Sequence, residues 1–99
     1  MQFIVTAWDY KDENALKRRM EVREQHLSLV VKMKKEGHDL FAAAMVNEAG
    51  DLIGSTMMMD FNSREELDKW LEKEPYITNK VWEDINVQEC RIPDLFLKA

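Results

Sequence analysis

Of the 99 residues, one is cysteine, two are proline and three are glycine. With Cys90 alone, no disulfide can close within the chain and no thiolate metal cluster can form from it. Cys90 reads as a small, partly buried strand residue rather than a nucleophile. Positive charge is in deficit: 14 Lys and Arg against 19 Asp and Glu give a formal net charge of −5. That argues against a nucleic-acid partner or an anionic membrane surface, both of which attract through positive charge. No apolar run approaches the roughly 20 residues of a membrane span. The stretch Met1–Asp9 lacks the basic start of an export signal, so a cytoplasmic location is expected. What is present is 45% hydrophobic and 33% charged residues, the balance of a folded domain rather than a disordered chain. The length suits one modest core, hence a single domain over residues 1–99.

The chain divides cleanly. Phe3 to Trp8 form a short β-prone apolar run, so residues 2–8 read as a strand covered on both faces. A long helical pattern starts near Asp12, a plausible N-cap, and runs to about Glu36, where Gly37 can take the left-handed cap conformation. Residues 39–47 and 52–60 read as a hairpin around the turn-rich Asn47–Asp51. Ser63 with Glu66 makes a capping box for a second helix, which Pro75 ends. Residues 76–81 then link to a last strand over 82–91, expected at the centre of the sheet. The tail 92–99 carries apolar side chains that must cover something, and His38 beside Asp39 reads as a surface pair.

This order, β-α-β-β-α-β, is the ferredoxin-like arrangement of an α+β fold. Two helices cover one sheet face, and the other face, with Phe3, Val5 or Ile4, Met57 or Met58 and Phe96 as its candidates, needs a partner. A second copy, sheet against sheet, meets that need. The expectation is a homodimer forming an α+β barrel, with ligand sites between helices and sheet or inside the barrel.

Within the long helix, Leu16, Met20, Leu27, Val30 and Val31 fall on one arc, expected to face the core. Arg23 lies inside that arc, and His26 sits on its edge beside Arg19 and Met33. In the bland reading Arg23 snorkels, or pairs with Glu83 or Asp84, and His26 is a satisfied boundary residue. In the functional one they reach a pocket, for which the small residues 42–44 and Gly54-Ser55 leave room above the sheet. A metal site has little support, since His26 and His38 are a full helix apart and no His-x3-His spacing exists.

The pattern Leu16-x2-Arg19-x3-Arg23-x2-His26-Leu27, then Gly37, the Gly54-Ser55-Thr56 strand and Glu74-Pro75-Tyr76, resembles the YciI-like (YCII-related) proteins from Phe3 to about Ile92. The resemblance implies a dimeric α+β barrel and an active site made by a His and an Asp, the Asp preceding Pro-Tyr. It also implies, for at least one branch, dehydrochlorination of a chlorinated hydroxyhydroquinone. His26 matches the family His, and Glu74 stands at the place of the Asp. Ala44-Met45 stands where relatives commonly have Gly-Pro.

A His–carboxylate pair can take and give a proton near neutral pH, the carboxylate fixing the tautomer. Arg23 can hold an anionic or phenolate oxygen, Ser55 can donate a hydrogen bond, and Tyr76 completes the ligand-binding set. The expected function is cofactor-free proton transfer of lyase, isomerase or dehydrochlorinase type on a small aromatic or enolisable molecule, catalysed by His26 and Glu74. The alternative is a non-catalytic homodimer that binds a small ligand or only fills its cavity. The two part on whether His26 and Glu74 meet beside an open cavity.

Overall fold

The strands and helices fall close to the ranges expected from the sequence. The computed structural model describes residues 1–97, so Lys98 and Ala99 of the expected tail lie outside the described residues. The elements are β1 (Gln2–Asp9), α1 (Ala15–Lys35), β2 (Asp39–Val46), β3 (Leu52–Asp60), α2 (Arg64–Lys73), α3 (Pro75–Thr78), β4 (Trp82–Cys90) and α4 (Asp94–Leu97). The four strands form one antiparallel sheet in the order β2-β3-β1-β4. β4 is therefore an edge strand, not the central strand expected, because β1 inserts between it and β3.

Caps decide the helix ends. Ser63 accepts from the Glu66 amide at 3.2 Å and starts α2. Pro75, with no N–H to give, ends α2 and opens the single turn of α3 instead of a plain linker. α1 begins at Ala15, later than expected, with Asn14 as N-cap. Asp12 does not cap it; both its oxygens are held by Arg18, at 2.7 and 2.8 Å. Gly37, at φ +81°, lets the chain leave α1 in the left-handed conformation.

Alternation along β1 sends Phe3, Val5 and Ala7 to one face, where Met57 and Met59 of β3 join them. Met33 of α1, Leu67 and Trp70 of α2, and Tyr76 complete this core. Both helices therefore cover the same face. Phe3, Val5 and Met57 are core residues, so the candidates for the second face reduce to Ile4, Met58 and Phe96. That second face is covered by neither α1 nor α2. Ile4, Met58 and Phe41 stand in one row across it, and Phe41 is 63% exposed. β1 is thus covered on one face only, and Trp8 is exposed. Leu95 and Phe96 of the tail are exposed as well, and Phe96 borders a groove on that second face with Ile4, Phe41 and Met58.

The apolar arc expected to face the core does not. Leu16, Met20, Leu27 and Val31 are all exposed. α1 instead buries Ala15, Arg19, His26 and Met33, with Val22 and Leu29 partly buried. The helix is rotated because its inward polar groups have carboxylate partners elsewhere in the fold, which offset their desolvation. Asp39 is also buried rather than paired with His38. A β-bulge between Asp39 and Phe41 turns its side chain inward, opposite Met59. His38 meets the Asp60 carbonyl at 2.8 Å and stacks on Phe61.

Candidate active site

Residues 19, 26 and 33 recur every two turns, so Arg19, His26 and Met33 share the inward face of α1. His26 Nδ1 donates to Glu74 Oε1 at 2.5 Å. Glu74 is aimed inward by its local role: it is the N-cap of α3, and the same oxygen accepts from the Tyr76 amide at 3.2 Å. Its side chain is fully buried, and Oε2 is left without a partner. The bond at Nδ1 fixes the ring, and Nε2 has no hydrogen bond among the described residues. Tyr76 lies flat on the imidazole, with ring centroids 4.0 Å apart, and Trp82 meets it edge-on at 5.8 Å.

The other end of this face holds a second carboxylate. Arg19 Nη1 donates to both oxygens of Asp9 at 2.8 and 3.0 Å, and Nη2 donates to Ser55 Oγ at 2.8 Å. The guanidinium sits 4.8 Å from the centre of the Tyr76 ring, a cation–π contact that links the two ends. Trp82 Nε1 also donates to Ser55 Oγ, at 3.2 Å. Burial pushes the Asp9 carboxyl above its ordinary value, and Arg19 offsets this only in part. Burial also raises Asp39, to about 6, although the Phe41 amide and His26 both favour its charged form. It raises the Tyr76 phenol as well, against Arg19 and Arg23, so Tyr76 stays a donor at neutral pH.

These groups border a cavity of about 260 Å³ between α1 and the β2–β3 hairpin. Arg23, His26, Ser55 and Tyr76 line it, with Ala42, Ala43 and Ala44 on the hairpin side. Small side chains at 42–44 thus leave real space, and Met57 lines the cavity without filling it. Met45 lies elsewhere, against Gly54, where an added Cβ would come within 2.6 Å of its terminal methyl. Of the five residues expected at a site, four line the cavity and Glu74 stands behind His26. The longer acid at position 74 still reaches the imidazole. Arg23 is exposed and forms no ion pair with Glu83 or Asp84. Among the described residues, no group of three His, Cys, Asp or Glu side chains is placed to hold a metal ion, and no helix is long and apolar enough to cross a membrane.

Sequence reasoning missed Asp9, Arg19, Trp82 and Asp39. Two signals were available. Asp9 continues the inward parity of Phe3, Val5 and Ala7, and Arg19 lies seven residues, two turns, before His26. Trp82 and Asp39 gave no comparable signal, since nothing in the order of residues brings them to α1.

Comparison with known proteins bears on the family and the fold. The chain is 31% identical over 94 residues to the protein YciI of Escherichia coli, covering 89% of this chain and 94% of that one. It is 30% identical over 95 residues to an uncharacterized protein of Haemophilus influenzae, with the same coverage. Its fold matches that of 5-chloro-2-hydroxyhydroquinone dehydrochlorinase from Burkholderia phenoliruptrix, solved in complex with 2,5-dihydroxybenzoquinone, with a TM-score of 0.81. That match covers 96% of this chain and 98% of the other, and at 17% identity it speaks to the fold alone. The model of the YCII-related domain matches residues 1–91, and on that span the chain belongs to the YCII-related family.

Proposed function

We propose that the protein is a cofactor-independent enzyme of proton transfer, a lyase, isomerase or dehydrochlorinase in type, acting on a small aromatic or enolisable molecule. The observation that carries this reading is the His26–Glu74 pair, with Nε2 unclaimed on the wall of a 260 Å³ cavity. Glu74 holds Nδ1–H, leaves Nε2 as the base, and steadies the imidazolium once the proton is taken. Arg23 and Ser55 attend the oxygen on which negative charge develops, and Tyr76 forms the wall behind the ring. In a dehydrochlorination, Nε2 would take the proton, the freed electron pair would form the new double bond, and chloride would leave. The dihydroxybenzoquinone bound to the structural neighbour is a ligand of this size and class.

The test is a thermal-shift screen of small phenols, hydroxyquinones, lactones and carboxylates, followed by turnover of the hits and their chlorinated analogues. Ligands that stabilise the wild type should fail with His26→Ala. Turnover should fall by about 10²–10⁴-fold with His26→Asn. Equal shifts and rates in all three proteins would remove the reading.

The row of Ile4, Met58 and Phe41, partly exposed at the first two and open at Phe41, favours a further element, a homodimer closed sheet against sheet as a ferredoxin-like α+β barrel. Sedimentation should give a dimer, and Phe41→Arg should give a monomer. A dimer that binds none of the screened compounds would leave the non-catalytic alternative in place.

A further inference from the structure

Ser55 carries a constraint that its place in the cavity does not by itself require. Its Oγ accepts two hydrogen bonds, from Arg19 Nη2 at 2.8 Å and from Trp82 Nε1 at 3.2 Å. Neither partner can reverse roles, because guanidinium and indole nitrogens are donors only. A hydroxyl oxygen has two lone pairs, and both are taken. Arg19 is itself held by the two oxygens of Asp9, so it cannot turn away without leaving that carboxylate buried and unpaired. The Ser55 proton makes no hydrogen bond to any described residue, and Ser55 lines the cavity.

We propose that Ser55 is a specificity-determining residue: its hydroxyl is locked as a donor into the cavity, so the site takes a ligand that places an accepting oxygen there and refuses one that places N–H there. This rests on the reading of the cavity as a small-molecule site. The positive charge on Arg19 polarises the hydroxyl and strengthens its donation. Arg23 lines the same cavity, so the accepting oxygen fits best as a carbonyl, phenolate or enolate oxygen. An amine in its place would set donor against donor in a buried setting, and sites built around one hydrogen-bond polarity reject the opposite one strongly.

The experiment measures binding of 1,4-dihydroxybenzene and 1,4-diaminobenzene, which has no oxygen to offer in place of N–H, by calorimetry to the wild type, Ser55→Ala and Ser55→Thr. The readout is the change in the ratio of the two affinities, because the charge difference between the compounds is common to all three proteins. The wild type should prefer the dihydroxy compound by at least about tenfold. That ratio should drop by about tenfold in Ser55→Ala and persist in Ser55→Thr, which keeps the hydroxyl. Should Ser55→Ala not fold, Ser55→Cys, whose thiol is a weak donor, takes its place with the same expected direction. Binding whose ratio is unchanged on removing the hydroxyl overturns this inference and leaves the site reading standing. If the wild type binds neither compound, the site reading and this inference fall together.

Discussion

Two carboxylates are buried beneath α1, and they are partnered in different ways. Asp9 faces a guanidinium that stays charged at any accessible pH and that is tied onward to Ser55. Glu74 faces an imidazole and a backbone amide, and one of its oxygens is unclaimed. The Asp9 end is a fixed ion pair that orients neighbours. The Glu74 end is built around a group whose charge can change. The contrast teaches that a helix can bury two polar residues on one face for two different reasons, and that the residue type shows which is which.

The sharpest way to break the contrast is to remove the fixed cation. Arg19→Met should cost about 3–5 kcal/mol in urea unfolding, because Asp9 would remain buried without its partner. Asp9→Asn combined with Arg19→Met should recover much of that loss. His26→Asn should cost less, about 1–3 kcal/mol, since a neutral donor can still face Glu74. Equal losses at the two ends would mean that Arg19 and His26 play the same structural part.

A third carboxylate gives an intermediate effect. Asp39 is close enough to His26 and Glu74 for both charges to act on it, and burial raises it from 3.8 to about 6. The sign follows from linkage: a carboxyl with a raised folded value binds its proton more tightly when folded. Its contribution is therefore fully favourable below about 3.8 and is lost as pH rises through about 6. Asp39→Asn can still accept from the Phe41 amide. It should be more stable than the wild type above pH 6 by roughly 1–3 kcal/mol, and the gap should close as pH falls toward 4. A gap that does not change with pH would show that Asp39 is not the titrating group.

The fold was largely legible because its signals are local. Ser63 and Glu66 lie three residues apart, Pro75 has no N–H, and the hairpin turn is dense in turn residues. The candidate site was legible where the family pattern named it, at Arg23, His26, Ser55, Glu74 and Tyr76. The inward face of α1 was misread because hydropathy centres it on Leu16, Met20, Leu27 and Val31 and leaves Arg19 and His26 at its edge. Their partners, Asp9 and Glu74, lie 10 and 48 residues away, and no window over the helix contains both. The edge position of β4 was hidden for the same reason: strand order depends on pairing across the whole chain.

The smallest expected effect is at Tyr76, which joins the two ends. Its ring stacks on His26, lies under the Arg19 guanidinium and meets Trp82 edge-on at 5.5 Å. Its phenol oxygen has no hydrogen bond among the described residues, so the ring carries the structural role. Tyr76→Phe keeps every ring contact and should change stability by no more than about 0.5 kcal/mol. Tyr76→Leu removes the stack and the cation–π contact together and should cost about 1–3 kcal/mol. If Tyr76→Phe cost as much as Tyr76→Leu, the hydroxyl rather than the ring would be coupling the fixed end to the titratable one.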